Sequence, residues 1–144
     1  MRAVVQRVTE SEVTVDGTVT GKIQKGLRVL LGVEEGETER DVNYLADKIA
    51  GLRIFEDEQE KMNLSVQDVE GGILTVSQFT LLGDVRKGKR PGFSRAAKPD
   101  HAKALYQDFN RQLREKSIPV SEGVFQAEML VKIHNDGPVT ILLD

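Results

Sequence analysis

The sequence has no cysteine and no tryptophan, and its only histidines are His101 and His134. Without cysteine there is no disulfide framework, no thiol nucleophile and no thiolate zinc site. Two histidines leave little from which to build a metal cluster, so neither a metal nor a cofactor is expected. No apolar run approaches the ~20 residues that span a bilayer. The opening Met1-Arg2-Ala3-Val4-Val5-Gln6-Arg7 breaks with charge too early for a signal peptide, so a cytoplasmic protein is expected. Gly-x-Gly-x-x-Gly, P-loop and Gly-x-Ser-x-Gly patterns are missing, as is any Ser-His-Asp order at useful spacing. These absences count against nucleotide hydrolysis and triad hydrolases.

What is present is an ordinary globular composition. The chain has 144 residues, 39% apolar and 30% charged, which suits one domain over 1–144. The net charge of −3 hides an asymmetry. Between Arg86 and Lys98 stand six basic residues and no acid, so the rest of the chain carries −9. One local basic segment in a mildly acidic protein suggests a docking place for an anion.

Hydrophobic patterning gives seven or eight strands and two helices. Residues 2–9 alternate, and Asp16-Gly17 marks a hairpin. Residues 27–33 read as a central strand. Thr38 opens a helix with Val42, Leu45, Ala46 and Ile49 on one face and Gly51 as its stop. A short strand follows at 52–55 and another at 73–79. A second helix starts near Pro99, with Ala102, Leu105, Phe109 and Leu113 as its stripe. Two strands, 129–134 and 139–143, close the chain around the turn residues Asn135-Asp136-Gly137-Pro138. Hairpins outnumber βαβ units in this reading. It predicts an α+β fold with a curved, barrel-like, mostly antiparallel sheet and two main helices. Ile141-Leu142-Leu143 is apolar on both faces, so this last strand is expected to be covered, with another subunit as a candidate.

Three constellations are candidates for chemistry. Ser77-Gln78-Phe79-Thr80-Leu81 follows an apolar strand and delivers polar groups that need partners or a cavity. On the pattern alone a turning strand end, its hydroxyls bonding local backbone, is the favoured explanation, and a site using all four residues needs a bend there or takes backbone N–H groups as donors. Asn135-Asp136-Gly137-Pro138-Val139-Thr140 is explained alone by a hairpin turn. The basic segment, with Arg86, Lys87, Lys89, Arg90, Arg95 and Lys98, is either a solvated loop or a phosphate contact. In the second case Phe93 is available to stack on a base. His101 reads as exposed, and His134 as a core or rim residue.

The Ser77–Leu81 and Asn135–Thr140 blocks together resemble the D-aminoacyl-tRNA deacylase family, also called D-tyrosyl-tRNA deacylase. Gln6-Arg7-Val8, Gly32-Val33, Arg53-Ile54-Phe55, Lys61-Met62-Asn63-Leu64 and Arg90-Pro91-Gly92-Phe93-Ser94 extend the likeness over the whole chain. The resemblance implies a homodimer that hydrolyses the ester between a D-amino acid and the 3′-terminal adenosine of tRNA. It implies that Gly137-Pro138 is cis and enters the partner's site, where main chain fills the space an L side chain needs. Such exclusion has no grip on glycine, so glycyl-tRNA is expected to be cleaved too. Ser77, Gln78, Phe79 and Thr80 would form the pocket, with Thr80 and the Phe79 backbone N–H as catalytic groups. Arg7 would brace the loop, and Arg86, Lys87, Lys89, Arg90, Phe93 and Arg95 would contact tRNA.

Two mechanisms compete. Thr80 as nucleophile needs a base, and neither histidine has an evident claim. Alternatively the protein orients the ester, the ribose 2′-OH helps activate water, and backbone N–H groups hold the oxyanion. The second is favoured. Two other classes stay open: a non-catalytic RNA-binding barrel, and a hydrolase of a small ester or amide.

Overall fold

The computed structural model describes residues 1–144. Its organising element is the long strand β1 (Arg2–Val15). Alternation along β1 sends Ala3, Val5 and Arg7 to one face and Val4, Gln6 and Val8 to the other. One edge of β1 carries β8 (Leu130–Leu143) along almost its whole length. The other edge is divided between β3 (Gly26–Gly32) and β2 (Thr18–Ile23), and all these pairings are antiparallel. The β1–β2 hairpin turns at Asp16 and Gly17, with φ of 50° and 79°, the doubly positive geometry that Asp-Gly favours.

From β3 the chain runs through α1 (Glu39–Gly51) and a small ribbon of β4 (Phe55–Glu56) and β5 (Met62–Leu64) to β6 (Gly72–Ser77). β6 lies parallel to β3. A 3-10 turn (Phe79–Leu82), a long loop and α2 (Pro99–Glu115) then lead to β7 (Val120–Glu122), which is parallel to β6. The sheet order is β2-β1-β3-β6-β7, with β8 on the free edge of β1. Its two ends approach each other. Ser121 Oγ donates to the Lys22 carbonyl at 3.1 Å, and a Cβ on Gly21 would lie 2.6 Å from the Glu122 carbonyl. The sheet is therefore curled into a nearly closed barrel.

The sheet is mostly antiparallel, as expected, with three of its five pairings of that kind. Two pairings are parallel and are reached by helical crossovers. The physical sign is β6 itself: Ile73, Leu74, Thr75 and Val76 are all buried, as in a strand covered on both faces. The strand expected over 73–79 ends at Ser77, and the one expected over 52–55 is Phe55–Glu56.

Two clusters hold the fold. Val5, Leu27, Val29, Leu31 and Ile73 pack under Val42, Leu45, Ala46 and Ile49 of α1 and Leu105, Phe109 and Leu113 of α2. The helix stripes read from the sequence are the ones buried. Thr38 caps α1 as expected: its hydroxyl accepts from the Arg40 N–H at 3.3 Å, and its N–H donates to Asp41 at 2.9 Å. On the inside of the curl, Val8, Val13, Ile23, Leu74 and Val76 form the second cluster. Arg28 and Leu30, in register with Leu74 and Val76, face the same interior.

Candidate functional site

β6 ends where polar groups begin. The Gln78 N–H still donates to Leu31 of β3 at 2.8 Å, and then the chain bends into the 3-10 turn. Of the two ways open to a site using Ser77 to Thr80, a bend or backbone N–H donors, the bend is present. The Gln78 side-chain amide donates to Thr80 Oγ at 2.9 Å. A 3-10 turn leaves its first N–H groups, those of Phe79 and Thr80, without partners inside the turn. Phe79 is 56% exposed, and its ring meets the edge of Phe93 at 5.1 Å.

These residues wall a cavity of about 920 Å³. Phe93, Ala96 and Ala97 come from the loop before α2, and Pro99 and Ala102 from the start of α2. Phe125, Gln126, Ala127, Met129 and Val131 close the opposite side, and Arg28, Leu30 and Val76 line the inner wall. Arg28 is the only ionisable side chain among the lining residues. It is 5% exposed, and burial lowers its pKa to about 10, so it stays charged near neutrality. Nowhere on the molecule do three or more His, Asp or Glu side chains converge as a metal site would require.

The basic loop is built against this cavity. Asp84 and Gly92 exchange backbone hydrogen bonds of 2.7 and 2.9 Å, closing its neck. Arg86 is folded back onto Asp84 with contacts of 2.9 and 2.7 Å, and it pulls the Asp84 pKa down to about 2. Arg95 is paired with Glu34 at 2.6 Å. Lys87, Lys89 and Arg90, and Lys98 at the start of α2, are exposed and take no part in any ion pair. The basic residues that looked alike in sequence thus divide into loop fasteners and free cations.

The Asn135–Thr140 block is not a hairpin. Both flanking segments pair with the same strand, β1: Thr140 stands opposite Gln6 and Asn135 opposite Val8. Residues 136–139 therefore bulge out across from the single residue Arg7. The Gly137-Pro138 peptide bond is cis, and Gly137 has φ of 116°. Consecutive residues of β1 grip the bulge from its two faces. The buried Arg7 places Nε 3.3 Å from Asp136 and donates to the Ile54 carbonyl at 2.8 Å. On the other face Gln6 Nε2 donates to Thr140 Oγ at 3.1 Å and to Asn135 Oδ1 at 3.4 Å. Asn135 Nδ2 ties the base to the Arg7 and Val139 carbonyls at 3.0 and 3.1 Å.

The family model described as D-Tyr-tRNA(Tyr) deacylase matches residues 4–144. The chain belongs to this family. Among its relatives, the D-aminoacyl-tRNA deacylase of Koribacter versatilis (strain Ellin345) is 62% identical, over 100% of this chain and 97% of the relative. That of Geobacter metallireducens (strain ATCC 53774 / DSM 7210 / GS-15) is 59% identical, over 100% and 95%. A solved structure described as c-Myc DNA Unwinding Element Binding Protein superposes with a TM-score of 0.95 at 45% identity, over 100% of this chain and 98% of that one. A probable eukaryotic D-amino acid tRNA deacylase shares the fold, with a TM-score of 0.80 at 19% identity over 99% and 97%.

Within this deacylase fold the two blocks behind the family resemblance lie apart. Ser77 to Thr80 wall the cavity, whereas Gly137 and Pro138 are exposed and do not line it. Neither His101 nor His134 lines it either. His101 is exposed beside the Glu37 carbonyl, and His134 is likewise exposed, on β8, 3.4 Å from Glu10. The sequence reading passed over Arg28. Its signal was a lone cation inside the apolar run of residues 27–33.

Proposed function

We propose that the cavity beside Ser77, Gln78, Phe79 and Thr80 receives the aminoacylated 3′ end of tRNA. As a family member the chain is a hydrolase, a D-aminoacyl-tRNA deacylase that releases free D-amino acid and tRNA. One observation supports this use of the cavity most strongly. Its wall presents hydroxyl, amide and N–H groups at a turn, and its only ionisable side chain is a cation. Such a site is suited to orient and polarise an ester that is already reactive, and it has no base with which to activate Thr80.

Water activated with help from the terminal ribose 2′-OH then adds to the ester carbonyl carbon. The Phe79 and Thr80 N–H groups hold the oxyanion. Collapse breaks the acyl–oxygen bond, and the 3′-oxygen of the adenosine leaves with a proton. The Phe79–Phe93 pair at the cavity mouth offers a face for the terminal base. Lys87, Lys89 and Arg90 contact tRNA phosphates.

Two copies complete the site. The outer edge of β8 has no strand partner within the chain, and Leu142 on it is 62% exposed. Gly137 and Pro138 are exposed and lie outside their own cavity's lining, and in this reading they enter that of the second copy. Main chain there occupies the direction an L side chain would take, while D-aminoacyl and glycyl esters fit. Subunit complementation tests this. A variant with a blocked cavity and a variant with a damaged loop are each inactive alone. In a random mixture, heterodimers restore about a quarter of the wild-type sites. No recovery on mixing contradicts the shared site.

A further inference from the structure

Arg28 is costly where it stands. Its guanidinium is buried, no carboxylate lies within ion-pair distance, and its Nε has no hydrogen-bond partner. An uncompensated buried cation is destabilising, so its position points to a role other than stability. Its one acceptor is Gln6 Oε1. Arg28, Gln6 and Thr140 stand in cross-strand register on β3, β1 and β8. They form a row that begins at the cavity wall and ends at the bulge.

We infer that Arg28 is a positioning residue for stereochemical selection, acting through Gln6 on the Gly137-Pro138 bulge. The Gln6 amide has two ends, and the guanidinium donor decides which way they point. With Oε1 held by Arg28, Nε2 faces Thr140 and Asn135. Asn135 in turn fixes the two carbonyls at the base of the bulge. Remove the cation, and the amide is free to turn and to drop both donors. Arg7 still holds the other face, so the bulge persists but is gripped from one side. The selective role rests on the shared site proposed above, whereas the mechanical link from Arg28 to the bulge stands without it.

Three variants test the relay: Arg28→Met, Arg28→Lys and Gln6→Glu. Met fills similar volume without the buried charge, so the variant is expected to melt at or above the wild-type temperature. Lys keeps a donor for Gln6. Glu gives Arg28 a carboxylate partner but deletes the Nε2 donors, so it is expected to hold or gain stability while losing the grip. Single-turnover cleavage of D-Tyr-tRNA and L-Tyr-tRNA reads selection. Arg28→Met and Gln6→Glu should each lower the D/L rate ratio at least tenfold, and Arg28→Lys should recover most of it. An unchanged ratio, including one in which D and L rates fall by the same factor, overturns the proposal. Hydrogen exchange over residues 135–140 reads the bulge with no substrate. It should quicken at least fivefold in Arg28→Met and Gln6→Glu, with residues 73–82 unaffected. Unchanged exchange overturns the mechanical link even if the wild type proves inactive on both tRNAs, and inactivity itself refutes the proposed function.

Discussion

Gln78 Nε2 donates to Thr80 Oγ at 2.9 Å, and no histidine or carboxylate lines the cavity these two residues share. An amide is no general base, so the hydroxyl is held in place and not activated. Thr80→Ala should therefore cost about tenfold or less in single-turnover rate, since the backbone oxyanion donors remain. A terminal 2′-deoxyadenosine ester should lose far more, on the order of 10²–10⁴-fold, the range that proton-transfer help supplies. If Thr80→Ala abolishes hydrolysis while the 2′-deoxy ester is cleaved normally, Thr80 is the nucleophile.

The same lining sets the pH profile. Arg28 is the cavity's only titratable group, and burial brings its pKa down to about 10, still well above neutrality. Between about pH 5 and pH 9 no ionisation of the protein should shape kcat/KM. Any inflection should follow the substrate's α-ammonium, whose free value is about 7.7–8.0. His101→Gln and His134→Gln should leave the profile superimposable on the wild type. A limb that disappears in either variant refutes this.

Gly137 cannot gain a side chain without moving its surroundings. A Cβ there would lie 2.9 Å from both the Arg7 guanidinium and Val139 Cγ2, at a φ of 116° that L residues rarely adopt. Gly137→Ala should shift the bulge and lower D-Tyr-tRNA cleavage at least tenfold, while the melting temperature drops by only a few degrees. A stable variant with wild-type activity and selectivity would show that the bulge has no part in the site.

Much of this was legible in the sequence, where local signals decide. Asp16-Gly17, Thr38 with Asp41, and the α2 stripe each specify structure within a few residues, and each is found as read. The parallel pairing of β6 with β3 and β7 was not legible, because it joins residues far apart in sequence. The Asn135–Pro138 run carries the residues of a hairpin turn. Only the pairing of both its flanks with β1 shows that it is a bulge. Ser77 to Thr80 stood out because polar groups follow a buried strand. Arg28 did not: a lone cation in an apolar run is its only mark, and that pattern alone does not tell a buried cation from one that reaches solvent.

The division of the basic loop gives a salt-dependence test. Lys87, Lys89 and Arg90 are free of ion pairs, whereas Arg86 and Arg95 are engaged by Asp84 and Glu34. Neutralising Lys87, Lys89 and Arg90 together should make the slope of log Kd for tRNA against log salt shallower by about 2. Neutralising Arg86 and Arg95 should change it by less than about 1, and should instead loosen the loop. Equal slopes for the wild type and the triple variant would remove this loop from the tRNA interface.

The most direct test of the account is release of amino acid from D-Tyr-tRNA, L-Tyr-tRNA and Gly-tRNA by the purified protein, with and without EDTA. The account predicts release from the D ester, slower release from the glycyl ester, none above background from the L ester, and no effect of the chelator. Comparable cleavage of D and L esters, or none of either, would contradict it.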